Sequence, residues 1–303
     1  MIRTKSGAAA LSIASNSVLI AIKLAAGAIT GSIAILTEAI HSLIDLVASV
    51  VAFVSVRKAD EPADAEHPYG HEKVESLAAT IEGMLILVGA GIIVYEATHR
   101  LVVGAEVESL GVGIAVMGIS VLANLVVSTT LARKAREHDS PALAGDAAHL
   151  RADAATSAAV LVGLGIVQLT GSAAFDSITA LLVAAAIVVA GIRIIRRSSG
   201  VLVDEALPDD EMDRIEAAIA AARTPEVAGY HKLRARRAGS RRYVDLHVQF
   251  HSGTSLERAH ELAHRLRDSI EAAVPRGEVM IHVEPETSLQ DPRRSRRGPF
   301  RAG

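Results

Sequence analysis

Up to about residue 200 the apolar residues fall in blocks of roughly 20; beyond that point charged and apolar positions mix. Twenty helical residues at about 1.5 Å each cross about 30 Å of hydrocarbon. The blocks therefore predict six membrane-spanning helices, near residues 9–31, 33–57, 77–98, 110–132, 141–169 and 173–195. The first is expected to be retained. It is too long for a signal-peptide core, lacks a small-residue cleavage site and is followed by further spans.

From about residue 203 the pattern predicts a small αββαβ domain, taken as 201–288. ALPDDEMDRIEAAIAAA has proline at the helix start and acids in its first turn, and GYHKLRARRAGSRRYVDLHVQF gives two strands joined by an AGS turn. LERAHELAHRLRDSIEAA has apolar residues at helical spacing, and EVMIHVEPE is a last short strand. Alternation places Val244, Leu246, Val248 and Phe250 on one face and Asp245, His247 and Gln249 on the other; Ile281 and Val283 likewise oppose His282 and Glu284. The histidines are expected on polar faces, outside the core. Residues 289–303, DPRRSRRGPFRAG with the two residues before it, read as a basic disordered tail near anionic lipid heads.

Composition agrees with a membrane protein: half of the 303 residues are hydrophobic and the mean hydropathy is +0.34. Basic residues orient it. Arg3, Lys5, Arg57, Lys58, Lys73, Arg133, Lys134, Arg136, Arg193, Arg196 and Arg197 flank one side of the spans and Arg100 the other, which predicts cytoplasmic N- and C-termini. The absence of cysteine excludes thiolate metal sites. The net charge of -3 averages over opposed regions and identifies no partner.

Inside this apolar frame span two carries HSLID, with His41 and Asp45 four apart. Taken alone, the pair reads as a satisfied structural pair or as ligands. A charge at bilayer depth costs several kcal/mol or more, so it faces a cavity or a partner. Span five repeats the spacing with His149 and Asp153 in GDAAHLRADAATS. Residues four apart share a helix face, so two helices offer two imidazoles and two carboxylates. Spans two and five run in opposite directions, which brings His41 nearer Asp153 and Asp45 nearer His149. Such nitrogen and oxygen ligands suit tetrahedral zinc better than magnesium or calcium.

The paired HxxxD stretches, HPYGHEKVESLA at 67–78 and the histidine-bearing C-terminal domain together resemble the cation diffusion facilitator family of metal/proton antiporters. The resemblance implies that His41, Asp45, His149 and Asp153 form the transport site, and histidine at position 41 is similar to zinc-selective members. It also bears on the loop DAEHPYGH, where the residues alone leave open solvated histidines or a metal site: Asp64, His67 and His71 match a second zinc site. Lys73 and Asp204 match an interdomain charge pair, against a reading as two exposed charges. In the C-terminal domain the resemblance implies a metallochaperone-like fold that dimerises and binds zinc through His231, His247, His260 and His282, with Glu284 where a similar member has aspartate. His264 is expected to be exposed.

The function these readings predict is secondary-active export of a divalent cation, zinc first, in exchange for protons by alternating access. Zinc is the transported substrate and an added structural or regulatory ion; protons, membrane lipid and a second copy of the chain are the other partners, with no nucleic acid. Imidazole and carboxylate must shed protons to bind metal, so cation and proton compete for the same groups. The expected location is a bacterial plasma membrane. Competing readings are a carrier of cadmium, iron, cobalt or manganese, a membrane-bound metal sensor, or a metalloenzyme, for which no HExxH signature is present. Lys23, Glu38, Glu82 and Asn124 lie within spans without an assigned role; Lys23 reads as snorkelling or as neutralising an acid.

Overall fold

The computed structural model describes residues 4–30, 33–103, 111–170 and 174–287; the basic tail lies outside them. Six long helices come first: α1 (Lys5–Thr30), α2 (Ile33–Ala59), α3 (Lys73–Val103), α4 (Gly111–His138), α5 (Pro141–Thr170) and α6 (Ala174–Leu202). Then follow α7 (Asp209–Ala221), β1 (Val227–Ala238), β2 (Arg241–Phe250), α8 (Leu256–Ala273) and β3 (Gly277–Pro285). The chain divides into two compact units, residues 1–200 and 201–303.

In the helical unit, α1, α3, α4 and α6 are long and apolar enough to cross a membrane by length and composition. The other two long helices, α2 and α5, carry the paired histidines and aspartates. On α2 the faces divide cleanly. Ser42, Asp45, Ser49, Ala52 and Val56 are buried at spacings of three and four, whereas Leu43, Val47, Val50 and Val54 point outward. Polar and small residues inside with aliphatic residues outside is the distribution lipid favours. Helix α5 packs against α3 and α4, and α1 against α2 and α4. Helices α3 and α6 approach at glycines: a Cβ on Gly83 would lie 2.7 Å from Ile195 Cγ1, and one on Gly191 2.9 Å from Leu87 Cδ2.

One end of this bundle is tied by charge. Lys5 Nζ lies 2.6 Å from Asp60 Oδ1 and 2.8 Å from Glu75 Oε1, and the Ser140 hydroxyl donates to the other oxygen of Glu75. These residues start α1, follow α2, start α3 and precede α5. At this end α1, α3 and α5 begin and α2 finishes, so α2 runs opposite to the other three, as consecutive crossings require. Ser140 also accepts from Leu143 N, which caps α5 ahead of Pro141.

The second unit is an αββαβ domain with sheet order β1-β2-β3; β2 is antiparallel to β1 and parallel to β3. The parallel return needs a crossover, which α8 provides. Ser255 caps α8 by accepting from Arg258 N. Val244, Leu246, Val248 and Phe250 alternate towards the helices and meet Ile215, Ile219, Leu262, Leu266 and Ile270 in one apolar cluster. The opposite face differs from expectation in burial: Gln249 is wholly buried and Glu284 is 8% exposed. The His231 and His247 imidazoles lie against Glu284, which withdraws its carboxylate from solvent.

Candidate metal centres

Three groups of metal-ligating side chains assemble among the described residues. In the helical unit α2 supplies Asp45 and α5 supplies His149 and Asp153. His149 Nε2 lies 3.3 Å from Asp45 Oδ1 and 3.8 Å from Asp153 Oδ2, with one ligand atom from each residue within 4.8 Å of the others. Asp45 and His149 are buried, and His149 Nδ1 has no hydrogen-bond partner. The side chain of His41, one turn before Asp45 on α2, lies outside the described residues, as does that of Glu38.

Polar residues that sequence reasoning passed over surround this trio. Asn16 Nδ2 donates to Ser49 Oγ at 2.9 Å and to the Asp45 carbonyl at 3.5 Å, and the Ser12 and Ser49 hydroxyls lie 2.9 Å apart. Asp146 joins Ser12 and Ser49 through its Oδ1. The signal for Asp146 was present, because residues 146, 149 and 153 follow one stripe of a helix. Lys23 is buried and donates to Ser42 Oγ at 2.7 Å, so it does not snorkel.

The loop between α2 and α3 brings Asp64, His67 and His71 together. Pro68 and Gly70, the latter at φ 87°, turn the chain so that the two imidazole rings lie 4.5 Å apart. Asp64 Oδ1 accepts from the backbone of Glu66 and His67, at 3.0 and 2.7 Å, and Oδ2 lies 3.3 Å from His71 Nε2. That contact lacks hydrogen-bond geometry. Both ring nitrogens of the buried His71 are thus without hydrogen bonds, an unusual state for an imidazole that holds no ligand. The His67 backbone N–H holds the Asp64 carboxyl below the usual carboxylate range.

In the αββαβ unit the register aligns His231 with His247 and His247 with His282 across the three strands. A bulge after His231, with Lys232 at φ 52°, breaks the ladder there. Glu284 Oε2 lies 2.9 Å from His231 Nε2, and Oε1 lies 2.6 Å from His247 Nδ1 and 3.6 Å from His282 Nε2. His282 is the outermost of these, with a side chain 63% exposed. Within the chain His260 is exposed on α8, its ring 4.3 Å from that of His264 one turn on. One expectation needs correction: His264 is half-buried rather than exposed. The expected partners Lys73 and Asp204 lie in different units, and within its own unit Asp204 pairs with Arg236 at 2.8 Å.

Comparison with known proteins follows the same division. The cation efflux transmembrane domain matches residues 9–203, and the cytoplasmic domain of cation efflux proteins matches 207–286. An uncharacterized transporter of Synechocystis sp. is 32% identical over 285 residues, covering 94% of this chain and 91% of the relative. The cation-efflux pump FieF of Klebsiella pneumoniae is 32% identical over 285 residues, covering 94% of each. Among solved structures, the metal-bound C-terminal domain of the CzcD transporter from Thermotoga maritima is 29% identical; the match covers 28% of this chain and 99% of that one, with a TM-score of 0.24. The chain belongs to the cation diffusion facilitator family, and is an integral membrane transporter for the efflux of metal cations, not an enzyme.

Proposed function

We propose that this transporter exports zinc from the cytoplasm in exchange for protons, with Asp45, His149, Asp153 and His41 as the transport site. The observation that carries the reading is the approach of His149 to two carboxylates from two helices, inside a bundle whose outer faces are aliphatic. One nitrogen and two oxygens at such spacing suit a borderline cation that accepts imidazole, and His41 would add the fourth ligand of a tetrahedron. Each ligand binds metal only after losing its proton, so cation entry and proton release are one exchange. Alternating exposure of the site to the two sides would turn an inward proton gradient into outward metal movement.

The chain is proposed to work as a homodimer in a bacterial plasma membrane, with both termini in the cytoplasm. The excess of Lys and Arg on one side of the spans supports that orientation. Asp64, His67 and His71 form a second zinc site in the loop. His231, His247, Glu284 and the outlying His282 form a cytoplasmic one that biases or steadies the dimer. The fold supports the sensor reading less well, because a sensor has no need of a ligand set within the bundle.

The test is metal uptake into proteoliposomes under a pH gradient, with zinc, cadmium and manganese run in parallel. Zinc uptake that collapses with the gradient is expected. Uptake that ignores the gradient would remove proton exchange, and a stronger cadmium or manganese signal would reassign the metal. The loop site has its own measurement. Asp64→Asn is expected to weaken zinc retention at the loop by about tenfold or more, since even outer partners of metal ligands are worth 10–100-fold. Equilibrium dialysis of the full chain reads this, and undiminished retention would leave Asp64 only the task of holding the turn.

A further inference from the structure

Glu82 on α3 has no solvent exposure, and neither of its carboxylate oxygens has a hydrogen-bond partner. It lies against the backbone of α5. A Cβ on Gly145 would come 1.9 Å from Glu82 Oε2, so the carboxylate occupies the space that any larger residue at 145 would fill. The next residue, Asp146, is also wholly buried and close enough to act on Glu82 electrostatically. Its Oδ1 accepts from Ser12 Oγ and Ser49 Oγ, each at 3.2 Å, whereas Oδ2 has no partner.

Three buried carboxylate oxygens without a protein hydrogen-bond partner are a large liability. Leaving one buried polar group unsatisfied costs about 1–3 kcal/mol, and more where the group is charged. Two buried carboxylates within electrostatic range of each other, Glu82 against Gly145 and Asp146 next to that glycine in the chain, add repulsion to that cost, which a bound cation reverses in sign. The two hydroxyls orient Asp146 as outer partners orient a metal ligand, holding one oxygen so that the other is presented.

The position of the pair matters as much as its chemistry. Asp146, His149 and Asp153 lie on one stripe of α5, and Asp146 is the member nearest Pro141. At about 1.5 Å per residue it sits about 5 Å along the axis from His149. The Ser49 and Asn16 side chains connect it to the Asp45 backbone. The pair thus lies between the transport trio and the bundle end tied by Lys5.

We infer that Glu82 and Asp146 form a second cation-binding station, oxygen-only and one turn before His149, which a divalent cation occupies on its way between the cytoplasm and the transport site. This rests on the proposed transport site and its orientation. Carboxylate and hydroxyl oxygens discriminate poorly among divalent cations, so the station admits several of them. Selection falls to the imidazole one turn further on.

The experiment counts zinc bound per chain by equilibrium dialysis of the full-length protein in detergent, over a range of free Zn2+. It compares wild type, Glu82→Gln/Asp146→Asn, Asp45→Asn/Asp153→Asn and the combination. Loss of one weakly held ion is expected in the first variant, of a different and tighter ion in the second, and of both in the combination. An unchanged ion count and affinity in Glu82→Gln/Asp146→Asn overturns the station, including the case in which the pair simply holds protons. An unchanged count in Asp45→Asn/Asp153→Asn overturns the transport-site reading and leaves the station to stand on its own variant. Should the double acid variant not fold, Glu82→Gln alone, equal in size, carries the same prediction. Gly145→Ala should act like it, because the new methyl displaces the Glu82 carboxylate.

Discussion

Asp45→Ala and Asp153→Ala are each expected to reduce gradient-driven zinc uptake into proteoliposomes by at least about 100-fold, in protein that elutes and melts as wild type. The magnitude follows from ligand chemistry: removing outer partners of ligands already costs 10–100-fold in affinity, and a direct ligand costs no less. Geometry makes the two substitutions equivalent in kind. Asp45 and Asp153 lie 3.3 and 3.8 Å from the same His149 nitrogen, from different helices, so either loss opens the site on one side. Asp45→Asn and Asp153→Asn separate charge from shape. Each keeps an oxygen in place and removes the negative charge, so an amide that still fails to transport identifies charge as the requirement. Flux within twofold of wild type in both alanine variants would reduce these carboxylates to structural groups.

Glu211→Ala is expected to destabilise the αββαβ unit by about 3–5 kcal/mol, the usual cost of stranding one member of a buried ion pair. Glu211 stands in the first turn of α7 and Arg242 at the start of β2, both nearly buried. Two bonds join them: Arg242 Nε to Glu211 Oε2 at 2.8 Å and Nη2 to Oε1 at 3.0 Å. Removal of the carboxylate takes both of these bonds from a guanidinium in the interior, which keeps the Ser240 carbonyl 2.9 Å from Nη1. Arg242 holds the Glu211 carboxyl below the usual carboxylate range. The pair therefore contributes fully above the unfolded carboxylate pKa and is lost as pH falls through the lower folded value. Thermal melts of the full chain at neutral pH and near pH 3 measure this. Wild type should lose stability on acidification by more than Glu211→Ala does, and Glu211→Leu/Arg242→Leu should recover much of the neutral-pH loss. A neutral-pH melt of Glu211→Ala that matches wild type would show that the pair contributes nothing net.

The helices were legible in the sequence because lipid imposes a length and an apolar outer surface that composition records directly. Asp45, His149 and Asp153 were legible for the same reason, since ionisable residues are conspicuous against an apolar run. Ser12, Asn16 and Ser49 escaped notice: small polar residues are ordinary in membrane helices, and only packing shows which of them face Asp146. The strands of the second unit were legible through alternation, and so was the face that carries His247 and Glu284. Alternation assigns a face without saying what covers it, which is why the burial of Gln249 and Glu284 was not foreseen. The assignment of His260 to the metal site came from resemblance; helical spacing by itself links it to His264, its neighbour on α8.

The order of strands has a consequence for synthesis. The central strand β2 pairs with β1 directly, but its other edge and the carboxylate of its histidine cluster come from β3, the last element of the domain. A ribosome delivers His231 and His247 first and Glu284 only after the whole of α8 has been made. During that interval β2 has one open edge, and the two imidazoles lack the acid that joins them. Metal cannot template the early folding of this unit through the complete cluster; the sheet has to close before the cluster exists.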